Sequence, residues 1–363
     1  MSTKTYSKPK VLSVIGKVLA FVMTFLVILV ITVFVMMQIF VRGSAASRNT
    51  FITTVLETGQ LKFLASLCLS DKEIAEIVDA NSMKQLTESN VNEGLISFGN
   101  NTSGGTTTDT PASKDIEIEV IPGLTYKATM MIVHDPSRVS LATVAKGYDN
   151  WPDQGITLEQ FIEKTGAIGA INGGLYNSYN NSGGCPFGVA VSKGEIVRNR
   201  PYEAGGLVLI GLTEGNILQI IDLKGMSAAD TEKLIKEKKI RDAVCFQEEA
   251  SVDNNHFVQL IINGKEREIS GKGSGLNPRT AIGQRADGAL LLLVTDGRGS
   301  NGHAGASAAD LIEIMSRYGA VNAANLDGGS STCMYYNGEY LQNSVTFYYS
   351  QSSWKLPCAF VIE

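Results

Sequence analysis

Four short polar segments hold most of the residues that could do chemistry: "AINGGLYN" (170–177), "GLNPRTAIG" (275–283), "VTDGRGSNGHAGAS" (294–307) and "NLDGGSST" (325–332). Each sits at the end of an apolar run that reads as a strand, and loops at strand ends are where reactive groups gather on a rigid frame. Arg279 enters one of these runs. An arginine there is seldom buried unless paired, which leaves two readings. One is an ion pair with Asp296 or Asp327; the other is a guanidinium fork aimed at a carboxylate or phosphate. Arg298, two residues beyond Asp296, is a second such group. The loop from Gly297 to Ser307 is rich in glycine and short side chains, so its N–H groups can approach an anion closely. It runs into the start of a helix, whose N-terminus favours negative charge, and it lacks the GxxxxGK[ST] spacing of a Walker loop. His303 in this loop is a candidate ligand contact. Asp327-Gly328-Gly329 alone reads as a turn. With Asn325, Ser330 and Thr332 around it, it also reads as one wall of a site, its glycines there to admit a ligand.

Composition limits what such a site serves. The chain has 363 residues and a net charge of -5, from 31 basic and 36 acidic residues. No clustered basic footprint for nucleic acid is present. The three histidines, His134, His256 and His303, are widely spaced, which argues against a multi-histidine metal centre. Asp296 and Asp327 could give a divalent cation two ligands, with no clear third or fourth. The pattern therefore requires no cofactor and leaves room for one cation. Five cysteines at wide spacing give no CxxC pair and no zinc pattern.

The elements that must position these groups follow an apolar segment. Val18–Val41 carries no charge and, at about 1.5 Å per residue, is long enough to cross about 30 Å of hydrocarbon. Lys4, Lys8, Lys10 and Lys17 precede it and only Arg42 and Arg48 follow closely, which places the N-terminus in the cytoplasm and the rest outside. The run exceeds the ~7–15 residues of a cleavable signal, so a signal anchor is expected rather than a cleaved leader. The expected organisation is a tail over 1–17, an anchor over 18–41, a helical stalk and flexible linker over 42–115, and one catalytic domain over 116–363. In the stalk, Ser70 and Glu73 form a capping-box pattern ahead of Ile74, Ile77 and Val78 on one helical face. Beyond Ile116, alternating strands and hairpins at Lys193-Gly194, Asn263-Gly264 and Asn337-Gly338 are interspersed with helices at "TLEQFIEKTGA", "SAADTEKLIKEKK" and "SAADLIEIMSRYG". Strands outnumber helices without strict β-α-β alternation. That is an α+β domain of mixed, mainly antiparallel sheet with a few flanking helices.

"INGG", "NPRTAIG", "TDGR" and "NLDGGSST", in this order, resemble the phosphodiester glycosidase family, and "HDPSRV" and "LPCAFVIE" add to the likeness over about 116–363. The resemblance implies cleavage of the bond between a sugar's anomeric carbon and a phosphodiester. It implies site residues Asn172, Gly173 and Gly174, then Arg279 and Thr280, then Asp296 and Arg298, and finally Asn325, Asp327, Gly328, Gly329 and Ser330. The chain departs from the family at "CFQEEASVDNNHF", where Gln247 stands in place of a glycine. The chemistry is consistent with the likeness. A glycosyl phosphate leaves as a stable anion, so the two-carboxylate rule of ordinary glycosidases relaxes. Anion stabilisation by Arg279 and Arg298 is still needed, with one carboxylate at the oxocarbenium-like centre or on water. Asp327 is the first choice for it and Asp296 the second, while Asn172 and Asn325 would orient sugar hydroxyls. The expected partners are a glycan or sugar-phosphate substrate and, through the apolar helix, a membrane.

Overall fold

The computed structural model describes residues 9–58, 61–84, 90–98, 116–177, 182–250, 255–346 and 351–363. Three antiparallel sheets form the body. The largest has seven strands in the order Ile116–Pro122, Lys127–Val133, Leu290–Thr295, Thr280–Arg285, Ala320–Asn325, Gln259–Ile262 and Lys265–Glu266. The second has five, in the order Glu339–Gln342, Met334–Tyr336, Gly169–Asn172, Cys358–Ile362 and Val139–Thr143. The third also has five, in the order Glu195–Asn199, Val189–Ser192, Ile240–Gln247, Leu207–Thr213 and Leu218–Asp222. The α+β class is as the sequence predicts.

One core joins all three sheets, with Met131 and Ile282 from the first, Ile171 and Phe360 from the second, and Ile210 and Val244 from the third. Each sheet also covers a helix. Ala308–Arg317 packs Leu311, Ile314 and Met315 on the seven-stranded sheet. Leu158–Thr165 packs Leu158 and Phe161 on the second, and Ala228–Lys238 packs Ile235 on the third. All three helices begin in a capping box, from Ser307, Thr157 and Ser227, which satisfies N–H groups that the first turn leaves unpaired. The run Leu290–Thr295 is wholly buried because it lies between two strands within the sheet and under apolar layers on both faces.

The apolar helix extends from Pro9 to Arg42. Its stretch from Val14 is long and apolar enough to cross a membrane and is exposed. The region that follows is not a free stalk. Val41 at the end of the apolar helix joins Ile52, Val55 and Leu56 of helix Ala45–Leu56, and Ile74, Ile77 and Val78 of helix Asp71–Asp79, in a small core of their own. The chain then lies along the body. Met83 enters the core beneath the Ala308–Arg317 helix, Val91 enters the central core, and Ser97 donates its N–H to the Ala286 carbonyl. Buried apolar side chains and paired backbone groups hold it there, where composition alone suggests a solvated spacer. The remainder of the expected linker, 99–115, lies outside the described residues.

Candidate active site

Strand register brings three of the four polar segments together. Thr280 pairs with Val294 and Ala281 with Asn325, so the start of one strand lies beside the ends of its two neighbours. The residues before Thr280, after Thr295 and after Asn325 all leave the same end of the seven-stranded sheet. The fourth segment arrives from the second sheet. Asn172 ends the strand Gly169–Asn172. Its Nδ2 donates to the Asp327 carbonyl at 2.7 Å, while its Oδ1 accepts from the Thr280 hydroxyl at 2.8 Å and the Cys333 N–H at 3.2 Å. Asn172 is 1% exposed. Its amide therefore clasps the two sheets together instead of facing sugar hydroxyls. Thr280, which also meets the Thr332 hydroxyl, is part of the same clasp.

Arg279 is anchored on every side. Its N–H donates to the Thr295 hydroxyl, its Nε to the Ala306 carbonyl, and its Nη2 to the Ser274 hydroxyl at 3.1 Å and the Gly275 carbonyl at 2.8 Å. Its guanidinium lies 5.0 Å from the centre of the Phe257 ring, a favourable cation–π placement. Its ion-pair partner is neither Asp296 nor Asp327 but Glu57, at the C-terminal cap of helix Ala45–Leu56. The Glu57 carboxylate also accepts the Gly275 N–H at 2.7 Å and Asn277 Nδ2 at 3.1 Å. Both side chains of the pair are nearly closed to solvent, at 8% for Arg279 and 3% for Glu57.

Arg298 stays open to solvent at the rim in a left-handed conformation, φ 54°. Its Nη1 donates to the Ser330 hydroxyl at 2.8 Å and its Nε reaches Asn277 Oδ1 at 3.4 Å. The guanidinium lies against Gly329, where a Cβ would fall 2.6 Å from Nη2. Gly328 is as confined, with a Cβ meeting the Pro278 carbonyl at 2.9 Å. These two glycines let the Asp327 loop close against both arginines. Crowding by protein, and then the like charge of Arg279, lower the pKa of Arg298.

Asp327 completes the arrangement. Burial pushes its carboxyl up to about 7, against hydrogen bonds from the Ser331 hydroxyl and the Gly328 N–H and the charge of Arg298, which pull it down. The Ser331 hydroxyl is 3.0 Å from that of Tyr176, whose own pKa is raised by burial and then by Asp327. A carboxyl that exchanges its proton near neutral pH suits acid–base work.

Asp296 has a different environment. It is fully buried, with Oδ1 on the Lys127 N–H at 2.7 Å and Oδ2 on Asn301 Nδ2 at 3.1 Å and His303 Nδ1 at 2.7 Å. Both oxygens are taken up in bracing the loop that carries Arg298. His303 is a partner in that brace. Asn325 donates Nδ2 to the Phe257 carbonyl, and its buried Oδ1 has no hydrogen-bond partner among the described residues. Gly173 and Gly174 serve close contact between sheets: a Cβ on Gly174 would lie 2.1 Å from the Cys245 carbonyl, and the Gly173 carbonyl faces the Asp327 N–H.

Glu57, Ser274 and Asn277 are additions to the residues singled out from sequence, while Ser331 and Tyr176, which stand in the polar cluster and among the aromatic side chains of these motifs, take up roles beside Asp327. Asn277 stands in the quoted "NPRT" run, so its motif pointed to it. Glu57 carries no local signal, being one acid in a region that reads as a spacer. Among the described residues, no group of three or more His, Cys, Asp and Glu side chains comes together in a metal-holding arrangement. The five cysteines are free thiols, three of them buried.

The profile of the phosphodiester glycosidase family matches residues 165–363. Among solved structures, the fold is similar to the zebrafish N-acetylglucosamine-1-phosphodiester alpha-N-acetylglucosaminidase catalytic domain, auto-inhibited by pro-peptide. The TM-score is 0.50 and the identity 19%, over 71% of this chain and 87% of that one. A putative exported protein from Burkholderia pseudomallei has a TM-score of 0.40 and 13% identity over 65% of this chain and 74% of its own. An uncharacterized SPbeta prophage-derived protein of Bacillus subtilis strain 168 is 42% identical over 67 residues, which are 18% of this chain and 10% of that relative's length. The profile match takes in more than half of the sequence and includes Asn172, Arg279, Arg298 and Asp327; the chain belongs to the phosphodiester glycosidase family.

Proposed function

We propose that this protein is a membrane-anchored hydrolase that cleaves a sugar-1-phosphodiester in cell-surface glycans, breaking the bond between the anomeric carbon and the phosphate oxygen. The observation that carries this reading is the Asp327 carboxyl, partly buried and held near pH 7 beside Arg298 in the cleft that also holds Arg279. In the proposed reaction the guanidinium groups of Arg298 and Arg279 bind the phosphate, which takes the place of the Glu57 carboxylate at Arg279, and stabilise the charge it gains as the C–O bond breaks. Asp327 takes a proton from water as the water oxygen bonds to the anomeric carbon. The leaving phosphomonoester departs as an anion and needs no proton. Asp296 and His303 hold the Arg298 loop in register, and Asn172 holds the Asp327 loop.

The lysines before the apolar helix support a cytoplasmic N-terminus with the catalytic domain outside. The test of the activity is product analysis with a synthetic sugar-1-phosphodiester. The expected products are free sugar and a phosphomonoester, and water labelled with heavy oxygen should place its label in the sugar. A sugar phosphate as product would mark a phosphodiesterase, and retention of intact substrate a binding module.

A further inference from the structure

The apolar stretch Val14–Arg42 has 29 residues, which rise about 44 Å at about 1.5 Å each. Hydrocarbon takes up about 30 Å of a bilayer, and the headgroups bring the total to about 40–45 Å. With this helix across a membrane, its last turn therefore lies in the headgroup layer. Val41 in that turn is buried because it shares a small core with Ile52 and Ala65. Ala65 belongs to the short helix Phe63–Cys68, which packs against the apolar helix. The short helix buries Ala65 completely and packs Leu64 and Cys68, both partly buried, on the shared core. Its other face presents Phe63 and Leu67, one turn apart and each 57% exposed. We infer that Phe63–Cys68 is a second, shallow membrane contact. Phe63 and Leu67 enter the boundary between headgroups and acyl chains of the leaflet from which the apolar helix emerges, while Ala65 stays in the protein core. The inference rests on the membrane anchoring proposed above.

The occupant is a lipid surface because of where this face lies. Single apolar side chains on a protein surface are ordinary. Here two large ones are stacked within one turn, on a helix that shares its core with the emerging end of a span. Lipid is then already beside them. Helices that lie in the interface bury an apolar face about 5–10 Å into the headgroup–acyl boundary. Arg42, exposed in the last turn of the apolar helix, stands at the level of the lipid phosphates and suits them. A lone span leaves the tilt of the body open, and anchoring side chains beside it close that freedom. The same core carries helix Ala45–Leu56, whose cap residue Glu57 is paired with Arg279. Seating Phe63 and Leu67 therefore also sets how the cleft faces the bilayer.

Tryptophan fluorescence of the full chain tests this, in phosphatidylcholine vesicles with or without bromine on the acyl chains near the headgroup. The parent chain has two tryptophans, Trp151 and Trp354, and its emission is subtracted. Phe63→Trp should add emission that is blue-shifted, lost in brominated lipid and spared by aqueous iodide. Leu67→Trp should do the same, and it decides alone if Phe63→Trp does not fold. Leu95→Trp is the control. Leu95 is exposed, two residues before Ser97, which bonds to Ala286 in the turn at the end of the seven-stranded sheet away from the cleft. Its emission should stay red and be quenched by iodide alone. Phe25→Trp, inside the apolar helix, reports the anchor itself. Loss of emission in brominated lipid for Phe25→Trp, with none for Phe63→Trp and Leu67→Trp, would overturn the inference and keep the anchor. Loss at none of these positions would remove the anchor and the inference with it. Equal loss for Leu95→Trp would also overturn the inference, since the body would then lie on lipid without a dedicated face.

Discussion

Asp327→Asn should make the protein more stable while stopping its chemistry, and the gain should depend on pH. The carboxyl has an ordinary value of 3.8 and is held at about 7 in the folded chain. Below pH 3.8 the proton is bound in both folded and unfolded states, so the group contributes nothing. Between about 3.8 and 7 only the folded state keeps the proton, and stability falls as pH rises. Above 7 the deficit is complete. At about 1.36 kcal/mol per unit, the full displacement corresponds to about 4 kcal/mol. Asp327 keeps some exposure, so screening reduces the expected gain at pH 8 to about 1–3 kcal/mol. For a domain of this size that is a rise in Tm of about 3–10 °C. At pH 5 only about a third of the gain should remain. The assay is differential scanning calorimetry of parent and variant at both pH values, with turnover measured on the same samples. A Tm difference that is the same at pH 5 and pH 8, or a variant less stable at pH 8, would refute the reasoning. Turnover should fall about 10²–10⁴-fold, with KM altered much less.

Other outcomes follow from the same geometry. Arg279→Lys keeps the charge but loses the Nε bond to Ala306 and the planar stack on Phe257, so activity on a sugar-1-phosphodiester should drop appreciably; parent-like kcat/KM would show that charge alone suffices. Asp296→Asn leaves at least one of three donors unmatched in a buried site, so it should cost about 1–3 kcal/mol in chemical denaturation. It should also raise KM by loosening the Arg298 loop; unchanged stability would remove its bracing role. In intact cells, added protease should digest the 116–363 body and spare an epitope placed ahead of the apolar helix, and the opposite pattern would reverse the topology.

Much of this fold can be read locally. The hairpins at Lys193-Gly194, Asn263-Gly264 and Asn337-Gly338 all have both turn residues at positive φ, as two-residue connections require. Helix starts were equally legible because Ser or Thr stands three residues ahead of Asp or Gln. The strand Ile240–Gln247 was not, although it is the middle strand of its sheet. Arg241 and Asp242 break its apolar pattern, and Asp242 is buried because its carboxylate accepts the N–H groups of Leu141 and Lys193. Long-range hydrogen bonding of that kind leaves no trace in periodicity. The site follows the same division. The motifs marked Arg279, Arg298 and Asp327 as residues of interest, while the different surroundings of Asp327 and Asp296 depend on which loop side chains reach each carboxylate, Ser331 the one, Asn301 and His303 the other. The partnership of Glu57 with Arg279 spans 222 positions and belongs to tertiary structure alone.

The helix Ala45–Leu56 starts three positions after the apolar helix ends at Arg42 and carries Glu57, at its C-terminal cap, into the cleft. Its 12 residues span about 18 Å at 1.5 Å per residue. While Glu57 is docked, no slack separates anchor from cleft. With the apolar helix in a bilayer, the enzyme is a short-tethered tool that sweeps a thin layer next to the lipid surface. Under the function proposed above, sugar phosphodiesters attached to lipid, or to the membrane-proximal end of a polymer, would then be met at the density of a two-dimensional film, whereas the outer reaches of a long glycan would lie beyond its radius.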